Sequence, residues 1–108
     1  DQPGRPPPSP HHPDGLARPD VVWFGEMLPE AALERALGLA ATAGAVLTVG
    51  TSGLVQPAAS LPLVALQAGA FVVEVNPSRT PLSRQVNFHV PATAGSALQS
   101  LLENLLPL

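Results

Sequence analysis

The chain has 108 residues, a net charge of −3 at pH 7, only 12% charged residues, and neither cysteine nor lysine. These absences exclude disulfides, cysteine-ligated zinc, thiol nucleophiles, Schiff-base chemistry and the phosphate-binding loop that ends in Gly-Lys. There is no basic stripe for nucleic-acid phosphates and no apolar run near the roughly 18 residues that span a bilayer, so we expect a cytoplasmic protein without nucleic-acid or membrane partners.

The first twenty residues are rich in proline. Seven of the 14 prolines lie within residues 1–19. Fixed backbone angles, missing amide donors and few apolar side chains predict an extended linker there. His11, His12 and Asp14 resemble metal ligands, but no second cluster accompanies them, so we predict no metal site.

From residue 21 onward, short apolar runs alternate with helical patterns. β-branched and aromatic residues predict strands at 21–24, 45–49, 71–75 and 86–90. Apolar spacing and end signals predict helices that run from about Pro29 to Gly44, from Ser60 to Gly69, and from Gly95 to Pro107. This order is typical of a parallel α/β sheet of three to four strands with helical crossovers.

Ligands of open α/β sheets bind beyond the carboxyl ends of the strands. Polar or glycine-containing segments follow three predicted strands, at 24–26, 50–52 and 76–78. Gly50 permits close approach to the backbone, and Asn76 offers a donor and an acceptor suited to a ribose diol. The two segments at 50–52 and 76–78 therefore indicate a nucleotide site, although a turn with a helix cap explains each of them as well.

The remaining polar residues give little sign of catalysis. We expect Glu74 to face solvent or to pair with an arginine, and His89 to be a surface or packed strand residue rather than a base. No Ser-His-Asp arrangement and no close pair of carboxylates is visible in the sequence.

Three longer motifs carry a family resemblance. They are Arg18-Pro19-Asp20-Val21-Val22-Trp23-Phe24-Gly25-Glu26, then Gly50-Thr51-Ser52-Gly53-Leu54-Val55 with Pro57-Ala58-Ala59, then Val73-Glu74-Val75-Asn76-Pro77. In this order and spacing they resemble the C-terminal half of a sirtuin, a NAD-dependent protein deacylase. The first motif favours the bacterial type that is similar to the desuccinylase subgroup.

The resemblance implies an architecture and a set of site residues. Residues 21–108 would be the C-terminal part of a Rossmann-like, doubly wound parallel domain, and residues 1–20 a linker left from the small zinc-domain region. The residues implied to contact NAD are Gly50, Thr51 and Ser52 for phosphate and ribose, Asn76, Pro77 and Ser78 for the adenosine ribose, and Ala94 for the adenine. Those implied to contact the acyl-lysine peptide are Val22, Phe24, Gly25 and Glu26.

The resemblance also implies a reaction, and it indicates which functional residues of the family this chain lacks. In the family the acyl oxygen attacks the nicotinamide ribose, and the products are nicotinamide, free lysine and 2′-O-acyl-ADP-ribose. The family's Gly-Ala-Gly loop and catalytic His precede everything present here, and Pro10 and Pro13 stand at about the positions of a zinc-binding Cys pair. We therefore expect no catalytic residue and no zinc ligands in this chain, and no turnover by the chain alone.

Two other interpretations stay open at the level of sequence. One is a non-catalytic nucleotide-binding or interaction module of the same fold. The other is an unrelated α/β domain that completes its sheet with a partner.

Overall fold

A computed structural model of the chain describes residue 4 and residues 6–105. Its elements are α1 (Glu30–Thr42), β1 (Ala45–Val49), a short 3₁₀ turn (Ala58–Ser60), α2 (Leu61–Gln67), β2 (Phe71–Val75), β3 (Phe88–Val90) and α3 (Ala94–Leu105). The strands form one parallel sheet in the order β1-β2-β3, which confirms the predicted α/β class.

Helices lie on both faces of this sheet, as the doubly wound prediction requires: α1 and α2 on one face, and α3 on the other across a cavity of about 530 Å³. Strand residues alternate between the two faces. Val72 is fully buried with Ala40 of α1 and Ala65 of α2, whereas Val73 lines a cavity with Leu98 of α3 on the opposite face. The small core between α1, α2 and β2 therefore holds the sheet in place and leaves its carboxyl edge open.

The predicted strand at 21–24 is wrong. Residues 21–23 have no regular secondary structure, and residues 24–26 form a turn. Val21 and Trp23 are more than half exposed and Phe24 is 92% exposed. A strand-forming sequence needs a neighbouring strand to pair with, and in the described residues the sheet of β1, β2 and β3 offers this segment none.

The prediction of a wholly extended N-terminal linker also needs correction. Pro8 and Leu16 form an antiparallel bridge. The Ser9 amide donates to the Gly15 carbonyl at 2.9 Å, and the Ala17 amide donates to the Pro7 carbonyl at 2.7 Å. Proline lacks a donor but its carbonyl still accepts, so a local turn closes around the prolines.

Two element boundaries differ from prediction for identifiable reasons. β3 begins at Phe88 rather than Val86. The Asn87 amide still donates to the Val72 carbonyl at 3.0 Å, but the Val72 amide donates to the Asn87 side-chain Oδ1 at 2.8 Å instead of to a backbone carbonyl. α3 begins at Ala94, because Thr93 Oγ1 accepts the Ser96 amide at 3.2 Å and caps the helix. Within residue 4 and residues 6–105, no helix combines the length and apolarity needed to cross a membrane.

Candidate functional site

The carboxyl ends of the three strands meet at one edge of the sheet. The Gly50 amide donates to the Val75 carbonyl at 2.9 Å, and the Asn76 amide donates to the Val90 carbonyl at 3.1 Å. The first residue after each of β1 and β2 is thus still held by the next strand. The structure brings the predicted segments 50–52 and 76–78 together here, and Ala94 follows the end of β3 at the same edge.

The loop after β1 is shaped by its own side chains. Gly50 and Gly53 both have φ of 68°, a conformation that favours glycine. Thr51 Oγ1 accepts the Gly53 amide at 3.1 Å, and Ser52 Oγ accepts the Leu54 amide at 3.3 Å. The turn that sequence reasoning left as an alternative is therefore present.

The same loop leaves donors for a ligand. Among the described residues, the amides of Thr51 and Ser52 donate to no other atom, and both residues are exposed. A Cβ placed on Gly50 would meet nothing within 4 Å, so the space beside the loop is open. Amide donors beside open space fit the phosphate and ribose oxygens of a nucleotide, and the residues present fit NAD in this respect.

Asn76 joins the two loops. Its Nδ2 donates to the Thr51 carbonyl at 2.9 Å, and its Oδ1 accepts the Ser78 amide at 3.0 Å. One N–H of the side-chain amide is left over for another partner. The structure thus gives Asn76 a positioning contact that sequence reasoning did not anticipate, and the contact to ribose stays a prediction.

The segment predicted to meet the peptide is organised by one ion pair. Arg18 Nη2 lies 2.8 Å from Glu26 Oε1, and the guanidinium carbon lies 3.7 Å from the centroid of the Trp23 ring. Glu26 Oε1 also accepts the Trp23 amide at 3.0 Å. The hydrogen bond from Arg18, followed by that of the Trp23 amide, holds the pKa of Glu26 below its usual value, and the same pair raises the pKa of Arg18.

This segment lies against the loop that follows residue 53. A cavity of about 400 Å³ has walls from both stretches. Its lining includes all four predicted peptide-binding residues, Val22, Phe24, Gly25 and Glu26, together with Val55, Gln56, Pro57 and Ala58. The structure therefore places the predicted peptide residues next to the loop that begins at Gly50.

A larger groove of about 570 Å³ runs along the free side of β1. The residues that α1 and β1 contribute to its lining are almost all apolar. Of the segment 50–53, only Thr51 and Gly53 line it. This lining does not suit a nucleotide, so the polar carboxyl edge is the better candidate site.

Sequence reasoning missed a buried polar cluster under that edge. Glu74 is 1% exposed and accepts hydrogen bonds from the hydroxyls of Thr80 and Ser83. His89 Nε2 lies 3.8 Å from Glu74 Oε1. The expectation that Glu74 faces solvent or an arginine is wrong. Of the two alternatives expected for His89, a surface or a packed strand residue, the structure shows the packed one, with 8% of its side chain exposed. A glutamate inside an apolar strand, with Thr80 and Ser83 in the loop that follows, was the available signal.

The described residues do not fit a zinc site. Within this part of the chain, no three His, Cys, Asp or Glu side chains come together, and the sequence has no cysteine. The described residues therefore offer the family's zinc no ligand set.

Comparison with known proteins shows the relationship of the chain. Residues 5–57 match the family model for the Sir2 family. The NAD-dependent protein deacylase Sir2 of Mycolicibacterium smegmatis is 53% identical over 91 residues, which are 84% of this chain and 38% of that protein. The chain belongs to the Sir2 family. It spans well under half the length of this relative.

Solved Sir2 structures share the fold. A Sir2 homologue in complex with NAD matches with a TM-score of 0.83 and 38% identity, over 96% of this chain and 40% of that one. Sir2 with a p53 peptide and NAD⁺ matches with a TM-score of 0.77 and 34% identity, over 83% of this chain and 38% of that one. The Sir2-family chain described here thus shares the Rossmann-like architecture of proteins solved with NAD and peptide.

Proposed function

We propose that this chain forms part of the NAD site and one wall of the peptide groove of a NAD-dependent protein-lysine deacylase. The observation that carries the proposal is the joined pair of strand ends. Asn76 ties its own loop to Thr51, and the amides of Thr51 and Ser52 remain free of partners in the described part of the chain. The complexes of Sir2 relatives with NAD and with a p53 peptide support it.

In this proposal, different residues contact different parts of NAD. Thr51 and Ser52 hold phosphate and ribose oxygens through their backbone amides, which have no partner among the described residues, and Gly50 leaves open space for the close approach of these oxygens. Asn76, Pro77 and Ser78 face the adenosine ribose, and Ala94 faces the adenine. When bound, NAD supplies the ribose carbon that receives the acyl group and the nicotinamide that leaves. The chain's own part is to bind and orient.

The peptide wall is formed by the segment around the Arg18–Glu26 pair. Phe24 and Met27 are each more than 90% exposed, and the turn that displays them is fixed by Arg18, Trp23 and Glu26. An exposed apolar surface of this kind suits the aliphatic chain of an acyl-lysine. We propose an acetyl- or succinyl-type acyl group on protein lysine as the substrate.

We further propose that these 108 residues alone do not catalyse deacylation. His11 and His12 lie in the N-terminal turn, and His89 is packed beneath the edge beside Glu74. His89 is thus not exposed at the strand ends, and His11 and His12 belong to neither strand-end loop. An assay of the 108-residue chain with NAD and an acyl-lysine peptide is expected to release no nicotinamide, and measurable release would overturn this part of the proposal.

The binding of NAD is tested in the longest natural polypeptide that carries these residues, which is called the natural polypeptide below. Isothermal titration is expected to show binding of NAD and ADP-ribose. No heat at millimolar ligand with a folded sample would contradict the proposal and favour an unrelated α/β domain.

A substitution at Ser52 distinguishes a contact with the ligand from a contact within the turn. If the Ser52 hydroxyl meets NAD, Ser52→Ala raises the KM for NAD. If it serves only the turn, the variant loses about 1 kcal/mol of stability at unchanged KM. Ser100→Ala on exposed α3 is the matched control, and we expect it to leave the KM for NAD at the wild-type value.

A further inference from the structure

A buried carboxylate, that of Glu74, lies beneath the loop between β2 and β3, residues 76–87. Glu74 is the penultimate residue of β2 and shares its face with fully buried Val72. In the parallel register it stands between Thr48 of β1 and His89 of β3. These three form a polar row directly under the proposed nucleotide edge, where an apolar core would otherwise continue.

The hydroxyls above Glu74 have a fixed direction. Thr80 Oγ1 accepts the Leu82 amide at 3.2 Å, and Ser83 Oγ accepts the Thr80 amide at 2.9 Å. Each hydroxyl therefore already accepts one backbone amide and turns its own O–H toward the Glu74 carboxylate. The chain of bonds runs from backbone amide to hydroxyl to carboxylate, so Glu74 determines the shape of the turn at 80–83.

That turn also reaches the other loop of the site. A Cβ on Gly53 would lie 3.6 Å from Thr80 Oγ1 and 3.7 Å from Leu82 Cβ, so the turn packs directly on the end of the Gly50–Gly53 loop. Leu82 and Ser83 are 6% and 7% exposed. The buried tie beneath the edge thus supports both loops that carry the proposed NAD contacts.

We propose that Glu74 is a positioning residue for the nucleotide: by holding Thr80 and Ser83 it fixes the backbone of both strand-end loops against ADP-ribose. This rests on the proposed function. A glutamine at this position would set an NH₂ donor against one of two hydroxyls that are themselves donors. One of the two hydrogen bonds that hold Thr80 and Ser83 would then be lost, while the volume of the side chain is kept.

The test uses the natural polypeptide with Glu74→Gln and, as matched control, Glu34→Gln on an exposed position of α1. We expect Glu74→Gln to weaken ADP-ribose binding about tenfold, the equivalent of one hydrogen bond to a charged group. The KM for NAD should rise in parallel, the KM for the acyl-lysine peptide should stay within about twofold, and Glu34→Gln should change none of them.

A second pair of variants guards against a glutamine variant that does not fold. Thr80→Val keeps the shape of the side chain and removes the hydroxyl, whereas Thr80→Ser keeps the hydroxyl. We expect weaker ADP-ribose binding and faster hydrogen exchange at the amides of Leu82 and Ser83 in Thr80→Val, and recovery of both in Thr80→Ser.

The outcomes separate the two proposals. If the wild type binds ADP-ribose and the folded Glu74→Gln variant binds equally well, the positioning role is refuted and the proposed function stands. An equal rise in the KM values for NAD and peptide would also refute it, since that result indicates a general loss of structure. If the wild type binds no ADP-ribose, the proposed function itself fails.

Discussion

Two glutamates organise two regions of this chain in contrasting ways. Glu26 holds the turn at 24–26 through the Arg18 guanidinium and the Trp23 amide, with 42% of its side chain exposed. Glu74 holds the turn after β2 through two hydroxyls, with 1% exposed. An exposed ion pair is screened by water and salt, whereas a buried carboxylate without its donors has no solvent to replace them. We therefore expect the region around Glu74 to be the more rigid of the two.

The largest effect is expected from removing the buried carboxylate. Glu74→Ala leaves the hydroxyls of Thr80 and Ser83 without an acceptor and opens space beside His89. We expect a loss of about 3 kcal/mol of unfolding free energy, measured by urea denaturation of the natural polypeptide. Glu34→Ala at an exposed position is the control. A Glu74→Ala loss no greater than that of the control would remove the contrast between the two glutamates.

A smaller effect is expected where the turn packs on Gly53. Gly53→Ala forces a side chain into φ of 68°, which costs about 1–2 kcal/mol. The new Cβ would touch Thr80 and Leu82 at ordinary contact distance, so strain rather than overlap is the cause. The same denaturation experiment measures it. A neutral or stabilising Gly53→Ala would show that the loop does not hold this conformation.

Next comes the exposed tie between the loops. Asn76→Ala removes the bonds to the Thr51 carbonyl and from the Ser78 amide, and we expect about 1 kcal/mol of destabilisation. Asn104→Ala is the control, since its Nδ2 also donates to a backbone carbonyl, that of Ser100. We expect ADP-ribose affinity to fall only in Asn76→Ala. Equal affinities in the two variants would leave Asn76 with no role at the site.

The smallest effect is a pH dependence of the exposed turn. The pKa of Glu26 is lowered from 4.5 in the folded chain, so its contribution is present above pH 4.5 and is lost as pH falls through the lower folded value. Trp23 is the only tryptophan of the 108 residues, and its fluorescence reports the stacked Arg18. We expect an emission change with a midpoint below 4.5, weaker in high salt. A midpoint at or above 4.5, or an unchanged transition in Glu26→Gln, would refute the account of this turn.

Sequence patterns predicted the alternation of helices and parallel strands well, because both follow from local periodicity. They failed at 21–24, where an apolar run has no strand beside it in the described sheet. They placed Gly50 and Asn76 at one edge, since parallel strands share their carboxyl ends. They did not predict the cluster of Glu74, Thr80 and Ser83, because these side chains meet only when the turn at 80–83 folds back over the strand.

The most direct test of the nucleotide edge is a map of amide shifts. The natural polypeptide, labelled with ¹⁵N, is titrated with ADP-ribose and followed by NMR. We predict the largest shifts at the amides of Gly50, Thr51, Ser52 and Ser78, with saturation at a common affinity. Shifts confined to the apolar groove beside β1, or no shifts at millimolar ADP-ribose, would contradict the assignment of this edge as part of a NAD site.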